Sequence, residues 1–467
     1  MGFALTILYL VTNYLTPVTL FGPLAEYRIE VILAALILLV SLPKLPGSFI
    51  FKTPQSLALI GLAIATILSV LFGQHWAGGA VKAFLDFIPN AFAFFLVCLH
   101  CNSKRKLQAL VAMLLFVCLF VIARGCIDLR HLAPQGAEVQ AGQSEREDPD
   151  VWNMEHPYLL AMASNQGQMI YRIRGLGLIN DPNDFGQLLV CVTPLLFFFW
   201  RAKKLVFNIV LVVLPACVLL TGVYLTHSRG ALLALMAMAV VAARRRIGTV
   251  PALVLAVALF AGAMALHFTG GRDISAESGA DRTSLWGQGL EIFKAHPLFG
   301  VGFGNMGDYT DTHQTAHNSV VVCAAELGLF GLYFWSLFLL PTVRDALTAA
   351  SPAKVTEGEV VAPEESPFPQ PAWNVQTLDK AAINRLGQLV VLSLTGFLVA
   401  AWFLSRAYVL TFFLLGGVAE IVFEVALERK MIASRVRFSQ VLPYSGVLAV
   451  SLLLLMYLSL RVLNLVR

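Results

Sequence analysis

Three short stretches, in a chain otherwise poor in charge, carry residue types that could do chemistry. The first is His227-Ser228-Arg229-Gly230, which opens an apolar run from Ala231 to Ala243. Ser228 is a helix-capping residue by type, so Arg229 would stand at a helix N-terminus, where free backbone N–H groups and the helix dipole already favour an anion. Arginine adds a planar fork that grips a phosphate through two hydrogen bonds. The plainer alternative is an interfacial arginine that snorkels to lipid headgroups.

The second stretch, residues 269–316, contains Asp281-Arg282, Trp286 and the run His296-Pro297-Leu298-Phe299-Gly300-Val301-Gly302-Phe303-Gly304-Asn305. Its glycines permit tight turns and close approach of the backbone to a ligand, which makes Gly302 and Gly304 candidate binding residues beside Trp286. No strand precedes the run, so it does not read as a dinucleotide-binding fingerprint. It leads into His317-Asn318, with Glu326 and Gly328 about two turns further on. A histidine at such a place can serve as general base near neutral pH; its plainer role is to cap a helix or bond a loop carbonyl. His313 and His317 also have the four-residue spacing of metal ligands on a helix, with Asp308 and Asp311 nearby. No glutamate follows His313 as a zincin pattern needs, and Asp308 precedes any expected helix, so no metal is expected.

The third stretch is Arg172-Ile173-Arg174-Gly175-Leu176-Gly177 followed by Asn180-Asp181-Pro182-Asn183-Asp184. It offers Arg174 and Asn183 as polar contacts and also reads as a turn into a helix, which Asn183 or Asp184 would cap.

The elements that must position these residues follow from composition. Of 467 residues, 58% are hydrophobic and 13% charged, whereas a soluble domain carries about 25% charged residues. The mean hydropathy of +0.75 belongs to the whole chain, which excludes both a soluble protein and a single anchor on a soluble body. The 33 Lys and Arg sit in short clusters between apolar runs rather than along a polar face, so the net charge of +5 does not indicate nucleic acid. The seven cysteines show no disulfide or zinc spacing.

Apolar runs long enough for a bilayer fall at 3–20, 29–43, 55–72, 82–100, 107–124, 185–200, 205–226, 229–243, 248–268, 317–340, 386–404, 408–427 and 444–463, which predicts an all-α polytopic membrane protein with about 12–13 transmembrane helices. The first run lacks the basic start and small-residue cleavage site of a signal peptide and is expected to be a retained helix. Lys104-Arg105-Lys106, Arg201/Lys203/Lys204, Arg244-Arg245-Arg246 and Arg429/Lys430/Arg435/Arg437 fall on alternate loops, which places them and the N-terminus in the cytoplasm. The chain then divides into N-terminal helices (1–124), an outer loop (125–184), central helices (185–268), a second outer loop carrying chemistry (269–316), one helix (317–340), a Pro- and Glu-rich cytoplasmic linker (341–385) and C-terminal helices (386–467). Arg229 thus lies on the side that basic residues avoid, which favours a functional role.

In this order, HSRG opening a short apolar helix, DR and W in an outer loop, HPLFGVGFGN, then AHN and EXGXXG, the sequence resembles the O-antigen ligase and polymerase superfamily of bacterial envelope glycosyltransferases. The stretch ending NDPNDFGQ is also similar, so the likeness covers about residues 172–335. The resemblance implies a GT-C-like enzyme of the bacterial inner membrane that takes a glycan from undecaprenyl pyrophosphate and joins it to a hydroxyl acceptor on the periplasmic face. In the ligase branch the acceptor is lipid A–core oligosaccharide. Carried over by motif, the catalytic residues would be Arg229, Arg282 and His317, with Ser228, Arg174, Asn183, Trp286, Asn318, Gly302 and Gly304 around the pyrophosphate and glycan. The ligases are understood as inverting and independent of metal or other cofactor. They keep both termini in the cytoplasm, whereas thirteen spans would put the C-terminus outside. The NDPNDFGQ stretch also resembles ligases found beside exosortase systems.

Alternatives within the superfamily are a polymerase, with a second lipid-linked glycan as acceptor, and a protein O-oligosaccharyltransferase. A lipid-linked sugar transporter is the alternative of another class; it would need charged groups along a path through the helices, for which Asp86, Glu420 and Glu424 are the candidates.

Overall fold

Runs of apolar residues without backbone partners other than their own carbonyls must become helices in a bilayer, and the computed structural model consists of such helices. It describes residues 1–17, 29–46, 48–132, 155–163, 169–265, 276–351, 378–432 and 434–465. Residues 133–154, 164–168, 266–275 and 352–377, which include the Pro- and Glu-rich part of the expected linker and parts of both expected outer loops, fall outside them. Among the described residues nine helices are long and apolar enough to cross a membrane, and Gly2–Leu15 and Thr249–Gly262 are shorter apolar helices. The protein is an all-α polytopic membrane protein.

The chain forms two compact units. The first comprises Met1–Leu39, Arg105–Ile274 and Leu392–Ala400, and the second Val40–Lys104, Ser275–Val391 and Ala401–Arg467.

In the first unit, α1 (Gly2–Leu15) and α2 (Ile29–Ser41, through Leu39) precede α5 (Lys104–Leu132, from Arg105). A two-stranded antiparallel hairpin follows, β1 (Leu159–Ala163) against β2 (Met169–Ile173), with Leu159 opposite Ile173. Then come α6 (Pro182–Leu195), α7 (Leu205–Leu225), α8 (Arg229–Ile247) and α9 (Thr249–Ala265). Helix α6 packs against α7 and α8, and α8 against α9. Helix α6 starts earlier than the hydrophobic pattern indicates. Asp181, not Asn183 or Asp184, is its cap: the Asp181 carboxylate accepts from the Asn183 N–H at 2.7 Å, and Pro182 takes the first helical position, where its missing N–H is no loss.

The second unit holds α3 (Pro54–Gly73), α4 (Ala77–His100), α10 (Ala276–Ala295), α11 (Ser319–Ala350), α13 (Leu410–Glu428) and α14 (Phe438–Leu465). Helix α12 (Lys380–Ala401) begins in it and its residues 392–400 belong to the first unit. Helix α11 is central and packs against α3, α10, α13 and α14. Part of the stretch expected to be an outer loop is therefore helical. Helix α10 has mixed polarity, with glycines and charges that blur any apolar stripe, so its packing on α11 rather than its periodicity makes it a helix.

Helix α11 is interrupted at Gly328, whose φ of 64° and ψ of −163° leave helical space. A break in an apolar helix frees backbone groups that lipid cannot satisfy. The glycine run supplies the partners: Val301 N–H donates to the Ala325 carbonyl at 3.0 Å and Gly302 N–H to the Glu326 carbonyl at 3.1 Å, while Leu329 N–H donates to Pro297 O at 2.8 Å and Phe330 N–H to Leu298 O at 3.1 Å. A Cβ at Gly328 would lie 2.4 Å from the Leu298 carbonyl, and one at Gly300, 2.3 Å from the Glu326 carbonyl. Two distant sequence features, HPLFGVGFGN and EXGXXG, are thus two halves of one backbone junction.

Candidate active site

In the second unit the polar residues converge on the turn before α11. Asn318 is its cap: its Oδ1 accepts from Val320 N–H at 2.9 Å and Val321 N–H at 3.1 Å, and its Nδ2 donates to the Trp402 carbonyl at 2.9 Å. The side chain is wholly buried and its amide is fully engaged. His317 precedes this cap in a left-handed conformation, φ 49°, which a non-glycine residue holds only when its surroundings enforce it. They do so from both sides. His317 N–H donates to Ser405 Oγ at 2.9 Å, and the same hydroxyl lies 2.6 Å from Thr315 Oγ1. On the other side, the Trp286 indole N–H donates to the Ala316 carbonyl at 2.8 Å. Ala316 and Asn318 are buried while His317 between them is half-exposed, so the imidazole lies at the edge of a rigid turn.

Trp286 is itself buried, edge-on to Trp402 with ring centroids 6.4 Å apart. Its place is beneath the turn, and its polar atom is already bonded. Arg282 stands one turn earlier on α10, on the same face as Trp286 by helical spacing. The Glu326 carboxylate accepts from the backbone N–H groups of Gly304 and Met306, so a side chain fastens the glycine run as well as the helix backbone. Gly302, at φ 110°, is engaged in the junction through its N–H, whereas Gly304, at φ 78°, borders open space.

His313 and His317 do not share a helix. Residues 311–318 are turns and extended chain, α11 begins at Ser319, and His313 is exposed with φ 54°. The four-residue spacing has no ligand geometry behind it, because the helical periodicity it relies on is missing.

In the first unit, Ser228 caps α8 as expected, its hydroxyl accepting from Ala231 N–H at 3.3 Å. Arg229 is the first helical residue and is half-buried. The preceding turn is held by a residue that sequence reasoning did not single out. Arg172, on β2 and 2% exposed, donates from Nε to the Thr226 carbonyl at 2.8 Å and from Nη2 to Asn183 Oδ1 at 2.9 Å. It ties the end of α7 to the start of α6, so Asn183 supports the scaffold. Arg174, two residues on, is half-buried; burial lowers its pKa and Asp181 opposes that shift.

Sequence reasoning also missed Trp402, Ser405 and Arg406, in the connection from α12 to α13. Arg406 N–H donates to Ser319 Oγ at 3.0 Å, and that hydroxyl donates to Leu404 O at 2.7 Å. The available signal was Arg406, a basic residue on a connection that the charge pattern assigns to the outer side. The candidates for a transport path fare differently. Asp86 is exposed on α4, and Glu420 and Glu424 both accept from Arg435.

Each unit of this all-α polytopic membrane protein thus has a capped helix end with a basic residue beside the cap, Arg229 in the first and His317 in the second. Residues 214–336 match the family model described as O-antigen ligase, and this match supports membership of the O-antigen ligase superfamily. Its members are glycosyltransferase-like enzymes, ligases or polymerases, that act on lipid-linked glycans and an acceptor. The matched segment contains Ser228, Arg229, Arg282, Trp286, Gly302, Gly304, His317 and Asn318; Arg174 and Asn183 precede it. No curated protein sequence matches the chain.

Proposed function

We propose that this protein is an O-antigen ligase-like glycosyltransferase that moves a glycan from undecaprenyl pyrophosphate to an acceptor hydroxyl, with lipid A–core oligosaccharide as the acceptor. The reaction takes place on the periplasmic face of the bacterial inner membrane. The observation that carries this reading is the turn at His317: a half-exposed imidazole between two buried neighbours, held in a left-handed conformation by Ser405, Trp286 and the Asn318 cap.

The acceptor oxygen attacks the anomeric carbon, the bond from that carbon to the pyrophosphate oxygen breaks, and the configuration inverts. The imidazole of His317 takes the acceptor's proton, and lipid pyrophosphate leaves with the electron pair of the broken bond. Negative charge then grows on the leaving oxygen. Arg229 and Arg282 stabilise it, each with a planar, permanently charged fork suited to phosphate. Two guanidinium groups supply the charge that a divalent cation provides elsewhere, so the reaction needs no metal.

The test is in vitro transfer from an undecaprenyl-pyrophosphate glycan, with lipid A–core, a second lipid-linked glycan and a peptide offered together as acceptors. Lipid A–core should be glycosylated and His317→Ala should not act. Product on the second glycan or the peptide would assign the chain to the polymerases or the protein oligosaccharyltransferases. No transfer to any of them, with the donor instead moved across proteoliposome membranes, would make it a transporter.

A further inference from the structure

About seven turns beyond Ser319, roughly 40 Å along α11, a second group of ionisable side chains converges within the second unit. Asp345 projects from α11. Glu420 and Glu424 stand one turn apart on α13, and Arg435, from the connection to α14, places Nη2 2.5 Å from Oε1 of each. Gln55, in the first turn of α3, donates from Nε2 to Asp345 Oδ2 at 2.8 Å. The carboxyl groups of Glu420 and Asp345 lie within hydrogen-bonding reach of each other. Gln55 and Glu420 are 0% exposed and Asp345 3%.

The charges do not balance. Three carboxyl groups face one guanidinium. Burial opposes the charge on Arg435, but Glu420 and Glu424 outweigh it and raise its pKa above the ordinary arginine value, so it contributes one positive charge throughout. Arg344 reaches Asp345 only at 4.0 Å from a partly exposed position, and exposed Lys52 acts on Glu424 only at the margin. Glu428, further along α13, adds to the negative side. From α4, Cys98 faces the group as a thiol bonded to the Gly417 carbonyl and contributes no charge that offsets it. An uncompensated buried carboxylate is expensive, and two adjacent carboxylates cannot both ionise without repulsion.

An independent observation points to what is missing. Among the described residues, Arg435 Nη1 is a buried donor without an acceptor, and Glu420 Oε2 and Gln55 Oε1 are buried acceptors without a donor. Of the two acceptors, one belongs to the carboxyl pair and the other to the amide that holds Asp345.

We propose that this cluster is a proton-binding site, in which Asp345 and Glu420 hold one proton between them. The proton converts two repelling acceptors into a donor and an acceptor, supplies Glu420 Oε2, and leaves Arg435 opposite a single shared charge and Glu424. A metal cation fits less well, because it needs several oxygens arranged around it at its own bond length, and no three His, Cys, Asp or Glu side chains among the described residues are so arranged.

The test is infrared spectroscopy of the full-length chain in lipid nanodiscs, where a protonated carboxyl shows a C=O stretch that shifts in heavy water. At neutral pH the wild-type chain should show this band, and Glu420→Gln and Asp345→Asn should each abolish it. Either change takes one carboxylate out of the pair, so the remaining carboxyl faces a neutral amide instead of a like charge and no longer retains a proton, while Glu424 stays paired with Arg435. Raising the pH should remove the wild-type band and lower the unfolding midpoint together, while Glu420→Gln stays flat over the same range. Should either variant fail to fold, wild-type chain carrying ¹³C in aspartate or, separately, in glutamate decides the matter, because a shared proton gives a band that moves with both labels. A wild-type chain without the band, a band unchanged in both variants, or one that moves with only one label or neither would overturn the proposal. So would an unfolding midpoint raised by sodium or magnesium in a chain without the band.

Discussion

Replacing Gly328 with alanine tests how the break in α11 holds the glycine run. At φ 64° and ψ −163° the backbone is in a region that is essentially glycine-only, and the new Cβ would stand 2.4 Å from the Leu298 carbonyl. Two responses are open to the chain. If the junction stays intact, the backbone conformation alone costs about 1–3 kcal/mol, and relieving the contact adds to it. If the junction opens, the four backbone hydrogen bonds that join residues 297, 298, 301 and 302 to 325, 326, 329 and 330 are lost, at a net value of about 0.5–1.5 kcal/mol each. Both routes arrive near 3 kcal/mol, which is roughly a hundredfold in an opening equilibrium. Hydrogen exchange in nanodiscs reads it directly: the amides of Val301, Gly302, Leu329 and Phe330 should exchange about a hundredfold faster. Gly287→Ala is the matched control, because nothing lies within 4 Å of a Cβ there; within α10 it should be neutral or stabilise by up to about 1 kcal/mol. Unchanged protection of the four amides in Gly328→Ala would refute the account of the junction.

Further outcomes follow from the site. Arg229→Ala and Arg282→Ala should insert and fold normally yet lose about 10²–10³ in transfer rate, with lysine restoring only part; full activity in Arg229→Ala would return that residue to a headgroup anchor. Ser405→Ala removes the acceptor of His317 N–H and the partner of Thr315, and should lower kcat about five- to tenfold with little change in KM, as one net hydrogen bond of about 1 kcal/mol predicts. An unaltered kcat would mean the turn holds its shape without that hydroxyl. Chelation with EDTA should leave transfer intact, with His313→Ala nearly wild-type and His317→Ala inactive; loss on chelation and recovery with a divalent ion would overturn metal independence. Acidification should reduce transfer as His317 becomes protonated, and an acid limb unchanged in the residual activity of His317→Ala would remove it from the base role.

The membrane class and the apolar helices, though not α10 with its mixed polarity, were legible in the sequence because lipid leaves a backbone no other option: an apolar run must satisfy its own hydrogen bonds, so length and composition decide. Ser228 was legible for a related reason, since a capping side chain acts on N–H groups two or three residues away. The Asp181 cap was misassigned to its neighbours because a hydrophobic pattern marks where apolar residues begin, while the helix starts at a proline and two polar residues before them. What the linear order could not contain is pairing between distant segments. Gly300 and Gly328 read as separate flexible points until the carbonyls freed by the broken helix find the glycine run. His317 reads as a lone histidine until Ser405, far along the chain, accepts its N–H, and its spacing from His313 reads as a helix until the turn removes the periodicity. Arg172 looked like Arg174, and only burial against Thr226 and Asn183 separates them. Local hydrogen bonding and transfer to lipid can be inferred from neighbours in sequence. The position and engagement of each polar group depend on which remote backbone atoms the folded chain leaves unsatisfied beside it.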